Sequence, residues 1–352
     1  MSARLPTSVL HLVGSPVDEF HAELSRLYAA ACLDAVDDLG RYDVAVAYTS
    51  PDGTWRFPAG LDAGSLSAAV AMTLPQAIAH IEAIGVDVVV PHMFCRPGMT
   101  SYRALFDVLG IPYVGNTPDV MANAADKSKA RAIVKDAGVA VPDGWVVRRG
   151  ERSRPAFPVV VKPVDADNSA GVSLARDARE YGAALDSAFE HGDAALVETY
   201  VELGREVRCG IIVRGGELVC LPLEEYAVDP VTKPIRGRDD KLSRTDSGDL
   251  FLVAKEPSRA WIVAEDDPIT APVWAAARRC HEALGCRHYS LFDFRIDPDG
   301  QPWFLEAGPY CSFAPTSVIA VMAAAAGIDV RDLFAAALGE LELQGTPCNS
   351  LR

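Results

Sequence analysis

Asp293 and Glu306 are the residues best placed to do chemistry. Each sits in a run of apolar and aromatic residues, "YSLFDFRID" and "QPWFLEAG", and the turn Asp297-Pro298-Asp299-Gly300 between the runs makes them the two strands of an antiparallel hairpin. Thirteen positions separate the acids, so one register puts both side chains on one face. Inward carboxylates must be paired, protonated or bound to a cation. Two hard oxygens beside a polyphosphate suit Mg2+, which keeps several waters and takes one or two carboxylates. The plainer reading has both acids facing solvent or paired with Arg295 and Arg287, and spacing alone leaves the choice open.

Lys162 ends the apolar run "FPVVVKP", where its charge needs an anion. The small, polar "DADNSAG" that follows, with Asn168 and Ser169, can bend and offer backbone N–H groups to phosphate oxygens. It lacks the spacing of a Walker loop, and a surface lysine beside a hairpin loop is the simpler alternative. "LVETYVELGREV" sets Glu198 at a strand end, then Tyr200 and Val201, then Glu206. Such a strand can pair its backbone with an adenine edge while an acid meets ribose hydroxyls; solvated glutamates would look the same. His92 follows the β-branched run "VDVVVP", at the carboxyl end of a parallel strand where α/β ligand sites lie; a structural histidine also fits. Cys311 has no local base partner and reads as a packing cysteine.

The elements that must position these residues fall into three parts. Strand-like and helical runs alternate up to about residue 121, as in an open α/β domain, and "IPYVGN" is expected to be its last strand. Residues 122–206 form a small α+β unit whose helix "ADKSKARAIVKDAG" stops at Gly138. Residues 207–352 open with a hairpin turning at Gly215-Gly216 and pass through a long polar segment, 229–249, of the kind that is mobile or functional. The hydrophobic fraction of 49% suffices for three cores, and the net charge of −15 with no basic run disfavours a nucleic-acid partner. None of the eight cysteines forms a CxxC pair, which suits free thiols in a reducing cytoplasm. The opening residues are too weakly apolar for a signal peptide, and the longest apolar stretch, "SVIAVMAAAAGI", is too short for the roughly 20 residues of a membrane span.

In this order, "GIPYVGNTPDVMANAADKSKARAIVKDAGVAVP", "VVVKP", "LVETYVELGREV" and "LFDFRIDPDGQPWFLEAG" resemble the ATP-grasp fold, D-alanine–D-alanine ligase branch. The resemblance implies a three-domain α/β and α+β protein with ATP between the central and C-terminal domains. It implies Lys127, Lys162 and Ser169 on the phosphates; Glu198 and the backbone of Tyr200 and Val201 at adenine; Glu206 at ribose; Asp293 and Glu306 on Mg2+, or Mn2+ in its stead; and Lys241 closing over the γ-phosphate. Gly308 replaces the asparagine expected as third metal ligand. Leu291 replaces an arginine that stabilises the tetrahedral oxyanion, with Arg295 on the same strand as the expected substitute.

Within that branch, "MFCRPGMTSYRALFDVLGIPYVGNTPD", "REVRCGIIV" and "FLEAGPYCSFAPTSVI" are similar to the mycosporine-like amino acid ligases. These couple serine or threonine to mycosporine-glycine with ATP. The acceptor pocket would then be built from His92, Asn168, Tyr310, Cys311, Ser312 and Ser317, and the protein would be a cytoplasmic homodimer. A D-alanine or other dipeptide ligase is the near alternative, and a nucleotide-binding regulator without turnover the distant one.

Overall fold

The computed structural model describes residues 6–36, 40–151, 153–166, 169–236, 242–244, 250–252 and 258–344, without the side chains of 242–244, 250–252 and 342–344. Asn168 and Lys241 lie outside the described residues.

The first part comprises β1 (Thr7–Gly14), α1 (Glu19–Val36), β2 (Tyr42–Thr49), β3 (Trp55–Arg56), α2 (Ala63–Ala68), α3 (Leu74–Ile84) and β4 (Val88–Pro91). The strands form one sheet in the order β3-β2-β1-β4. β1 is parallel to both neighbours, and the short β3 runs antiparallel at the edge. Residues Val9 to Val13 are buried without a break, as expected of a central parallel strand covered on both faces. The run includes a histidine, His11, which is fully buried.

The short helices α4 (Arg96–Met99), α5 (Ser101–Leu109) and α6 (Pro118–Ala124) lead to α7 (Lys127–Asp136). "IPYVGN" between α5 and α6 is not a strand: it keeps one bridge, Val89 to Tyr113. Pro112 has no N–H for a ladder, and the next residues are bonded elsewhere. The Gly115 N–H donates to His288 Nδ1 at 2.8 Å. Gly115 has φ +95°, and a Cβ there would lie 2.4 Å from Tyr289 Oη, so only glycine fits. Asn116, wholly buried, donates from Nδ2 to the carbonyls of Tyr289 and Pro309 and accepts from the Arg287 N–H. This amide fastens the end of the first part to the last.

The second part is β5 (Gly144–Arg148), β6 (Val159–Pro163), β7 (Ser173–Ala175), α8 (Ala178–Phe189) and β8 (Ala194–Thr199). They form an antiparallel sheet in the order β5-β8-β6-β7, against which α8 buries Tyr181, Ala184 and Ala188. α7 starts where the sequence places it. The Asp126 carboxylate accepts from the N–H groups of Ser128 and Lys129, and Gly138, at φ +77°, follows the helix end.

The third part contains β9 (Arg205–Arg214), β10 (Glu217–Cys220), β11 (Glu224–Tyr226), β12 (Leu242–Arg244), β13 (Leu250–Leu252), β14 (Ala260–Ile262), α9 (Thr270–Leu284), β15 (Tyr289–Ile296), β16 (Pro302–Ala307), α10 (Val318–Ala325) and α11 (Val330–Gln344). Its main sheet runs β14-β11-β9-β15-β16, with β10 folding back on β9 through Gly215-Gly216. β12 and β13 form a separate hairpin. On one face of β15, Phe292 and Phe294 pack with α7, α9 and Phe304. The other face carries Tyr289, Leu291, Asp293 and Arg295 in turn, so the strand passes from apolar to charged along its length. Tyr289 and Leu291 join a core with Val9, Phe313 and Phe334 that spans the first sheet and the last helices. Among the described residues no helix is long and apolar enough to cross a membrane.

Asn116→Ala leaves two buried carbonyls and one buried N–H unpaired. It should lower stability by about 3 kcal/mol or more, while Val108→Ala, on an exposed side chain, should change it by less than about 0.5 kcal/mol. Denaturant unfolding of the two variants measures the difference.

Candidate active site

β15 and β16 pair Asp293 with Glu306 directly across the ladder, and the pairing slips immediately after Asp293. Both carboxylates face a cleft of about 770 Å³ between the second and third parts. A slip of this kind re-aims a side chain. Of the residues singled out in the sequence, Lys127, Lys162, Ser169, Glu198, Val201, Glu206 and Arg295 line the same cleft.

Two buried lysines line it. Lys127, the first residue of α7, lies 3.5 Å from Glu306 Oε1 and donates to the Ala166 carbonyl at 2.5 Å. Lys162, near the end of β6, lies 2.7 Å from Glu198 Oε2 and donates to the Leu305 carbonyl at 3.2 Å. Glu198 is also within 3.3 Å of Arg131 Nε. At the Glu206 end, Arg295 donates to Glu206 Oε2 at 2.9 Å and to the carbonyls of Val201 and Pro234, and its guanidinium lies over the Tyr200 ring. Arg295 therefore stands four residues from Leu291, roughly 13 Å along the strand, and is bound at the far end of the cleft. Leu291 is buried in the apolar core beside Phe313.

The cation on Asp293 is neither Arg287 nor Arg295. β9 lies on the other side of β15 and sets Arg208 opposite Asp293. Its guanidinium grips the carboxylate with two bonds, Nε to Oδ1 at 2.5 Å and Nη2 to Oδ2 at 3.0 Å. Burial opposes the Arg208 charge, and Asp293, Tyr226 and Tyr310 more than offset it, so the guanidinium is held well above its ordinary range. Arg236 adds a second cation, 3.7 Å from Asp293 Oδ2 and 3.8 Å from Glu206 Oε1, with its guanidinium 3.5 Å from the centre of the Tyr226 ring. Sequence reasoning missed both arginines. Arg208 follows Glu206 by two and so shares its strand face; that alternation was the available signal. Arg236 sits in an irregular segment that carries none.

The residues expected around the acceptor are divided. Tyr310 is partly exposed, and its ring meets Phe94 edge-on at 5.8 Å; Phe94 meets Tyr28 at 5.1 Å. A Cβ on Gly308 would lie 3.6 Å from the Tyr310 ring, so that ring borders the space an asparagine side chain would take. Cys311 is buried, and burial pushes its thiol up to about 12, which rules it out as a nucleophile near neutral pH. Ser312 is buried and accepts from the Ala314 N–H. Ser317 stands at the N-cap of α10 without a side-chain capping bond, and its Oγ is buried beside the Cys311 thiol. His92 does not reach the cleft. It is fully buried against His11.

The donor set fits Mg2+ or Mn2+. It offers two hard carboxylates side by side and no third side chain at Gly308, so water must complete the shell. Such an ion must take the place of Arg208 on Asp293.

The family profile described as "D-ala D-ala ligase C-terminus" matches residues 133–338. A D-alanine–D-alanine ligase from Citrifermentans bemidjiense is 30% identical over 80% of this chain and 84% of its own. One from Mycobacterium sp. (strain KMS) is 29% identical over 92% of this chain and 95% of its own. Among solved structures, the VanG D-Ala:D-Ser ligase from Enterococcus faecalis superposes with a TM-score of 0.77 at 21% identity, covering 95% of this chain and 99% of its own. The Bacillus anthracis D-alanine–D-alanine ligase complexed with ATP gives 0.70 at 19%, covering 97% and 100%. The fold is the ATP-grasp fold, and the chain belongs to the D-alanine–D-alanine ligase family of ADP-forming C–N ligases.

Proposed function

We propose that the protein is an ATP-dependent ligase that activates a carboxylate as an acyl phosphate and joins it to the amine of a small amino acid. The convergence of Asp293, Glu306, Lys127 and Lys162 on one cleft carries this reading. Asp293 and Glu306 would hold Mg2+ or Mn2+, which when bound neutralises polyphosphate charge. Lys127 and Lys162 bind phosphate oxygens, Glu206 takes ribose hydroxyls, and Glu198 with the Tyr200–Val201 backbone takes adenine. A donor oxygen attacks the γ-phosphorus and the bond to ADP breaks. The amine then attacks the activated carbon, phosphate leaves, and the amine proton passes to solvent. Positioning and charge neutralisation do the work. Arg208, rather than Arg295, supplies the cation nearest Leu291 for the oxyanion, since Arg208 faces Asp293 and the neighbouring pair is Gly210 with Leu291. The enzyme acts as a cytoplasmic homodimer, as the family resemblance implies.

A second reading, ligation to the ring of mycosporine-glycine, is favoured by the aromatic series Tyr28–Phe94–Tyr310. Three rings in series suit a cyclic acceptor better than a methyl group.

ADP release by purified enzyme separates the readings. The first expects turnover with D-alanine or another amino-acid pair alone. The second expects turnover only with mycosporine-glycine plus serine or threonine. ATP binding without ADP release for any acceptor would return the regulator reading and overturn both.

Asp293→Asn and Glu306→Gln should each lower kcat by about 10²-fold or more. Asp293→Asn also leaves Arg208 buried without its partner, costing about 3–5 kcal/mol. The double variant Asp293→Asn, Arg208→Met should recover stability in thermal melts but not turnover. Recovery of turnover would overturn the roles given to both Asp293 and Arg208.

A further inference from the structure

His11, Cys32 and His92 meet in the core from three elements. His11 is on β1, Cys32 on α1, and His92 follows β4, and none is exposed to solvent. His11 Nδ1 and His92 Nε2 are 2.9 Å apart, with the rings nearly parallel. One ligating atom from each of the three residues lies within 4.8 Å of the other two. Phe334 of α11 stacks on His11 from the other side and closes the cluster off.

Two neutral imidazoles carry two N–H donors and two lone pairs. The contact between the rings uses one of each. His11 Nε2 and His92 Nδ1 are buried with no protein hydrogen-bond partner, so an N–H and a lone pair find none in the chain. Buried polar atoms in native proteins are seldom left so, and each costs about 1–3 kcal/mol. Extra protons do not solve this: burial holds His11 down at about 4 and His92 well below its ordinary range, so both rings are neutral at physiological pH, the form that binds metals. The Cys32 thiol, raised by burial and then by Cys311, ionises only if a cation replaces its proton.

We propose that His11, Cys32 and His92 form a buried site for one thiophilic metal ion, Zn2+ or Cu+, separate from the carboxylate pair of the cleft. Two imidazoles and a thiolate are soft to borderline donors that suit these ions, whereas Mg2+ requires oxygen ligands. The ion would take the lone pair of each ring, replacing the N–H to N contact between them, and the thiolate in place of the thiol proton, which leaves to solvent, and would tie β1, the end of β4 and α1 together. Nothing in the ligase reaction calls for it, so its role is to tie α1 to β1 and the end of β4 within the first part.

The test uses untagged, full-length protein. Elemental analysis should find one equivalent of zinc or copper. Metal-free protein titrated with Co2+ should develop a thiolate-to-cobalt absorption band that saturates at one equivalent. Cys32→Ser should abolish the band, while Cys286→Ser, removing a thiol in a different core, should keep it. Zn2+ and Cu+ affinities from competition with chromophoric chelators identify the ion. The proposal fails if the wild-type protein takes up none of the three metals stoichiometrically. It fails equally if Cys32→Ser, folded by circular dichroism, binds Co2+ with the same band. The wild-type titration stands even if a variant does not fold.

Discussion

Two carboxylates facing each other across a β-ladder repel, and a half-buried cleft makes the repulsion worse. The pairing of Asp293 with Glu306 can therefore persist only where cations surround it. Among the described residues Arg208 holds Asp293 in a two-bond grip, Arg236 lies behind it, and Lys127 lies on Glu306. Each comes from a different element, β9, the segment after β11, and α7. The site is thus a point where much of the fold converges. Both acids are paired with cations before any nucleotide arrives, and binding becomes an exchange of partners rather than the creation of new buried charge.

β15 makes that exchange possible. Its inward face runs Tyr289, Leu291, Asp293, Arg295, so one rigid strand carries the contact with the first part, the apolar wall and the nucleotide cleft. Asn116 bonds the Tyr289 carbonyl, Gly115 leaves room for the Tyr289 hydroxyl, and Pro309 is held by the same amide. The turn after β16 and the cleft beside β15 are therefore positioned by one continuous network. Loss of the arginine at Leu291 fits this arrangement, since an adjacent strand brings Arg208 to the same face.

The sequence made the acidic pair legible because a tight turn and period-two alternation fix which residues share a face. α7 was legible from its aspartate cap and following glycine. Lys162 and Glu198 were read one by one, as phosphate and adenine contacts, and their ion pair was not foreseen. Arg208 was not legible, because its partner depends on the register of two strands far apart in the chain. His92 stood at a strand end where α/β sites lie, yet its ring turns inward to His11. A strand buried on both faces carries no alternation from which to tell that direction. "IPYVGN" has the composition of a strand, but tertiary bonds to His288 and Arg287 claim its end.

A crystal structure with Mn2+ and a non-hydrolysable ATP analogue, phased to show anomalous scattering from manganese, tests the central claim most directly. The account expects a manganese peak bridging Asp293 and Glu306, with Arg208 released from the carboxylate and turned toward the γ-phosphate. A nucleotide-bound structure with Asp293 still gripped by Arg208, and manganese elsewhere or absent, would contradict it.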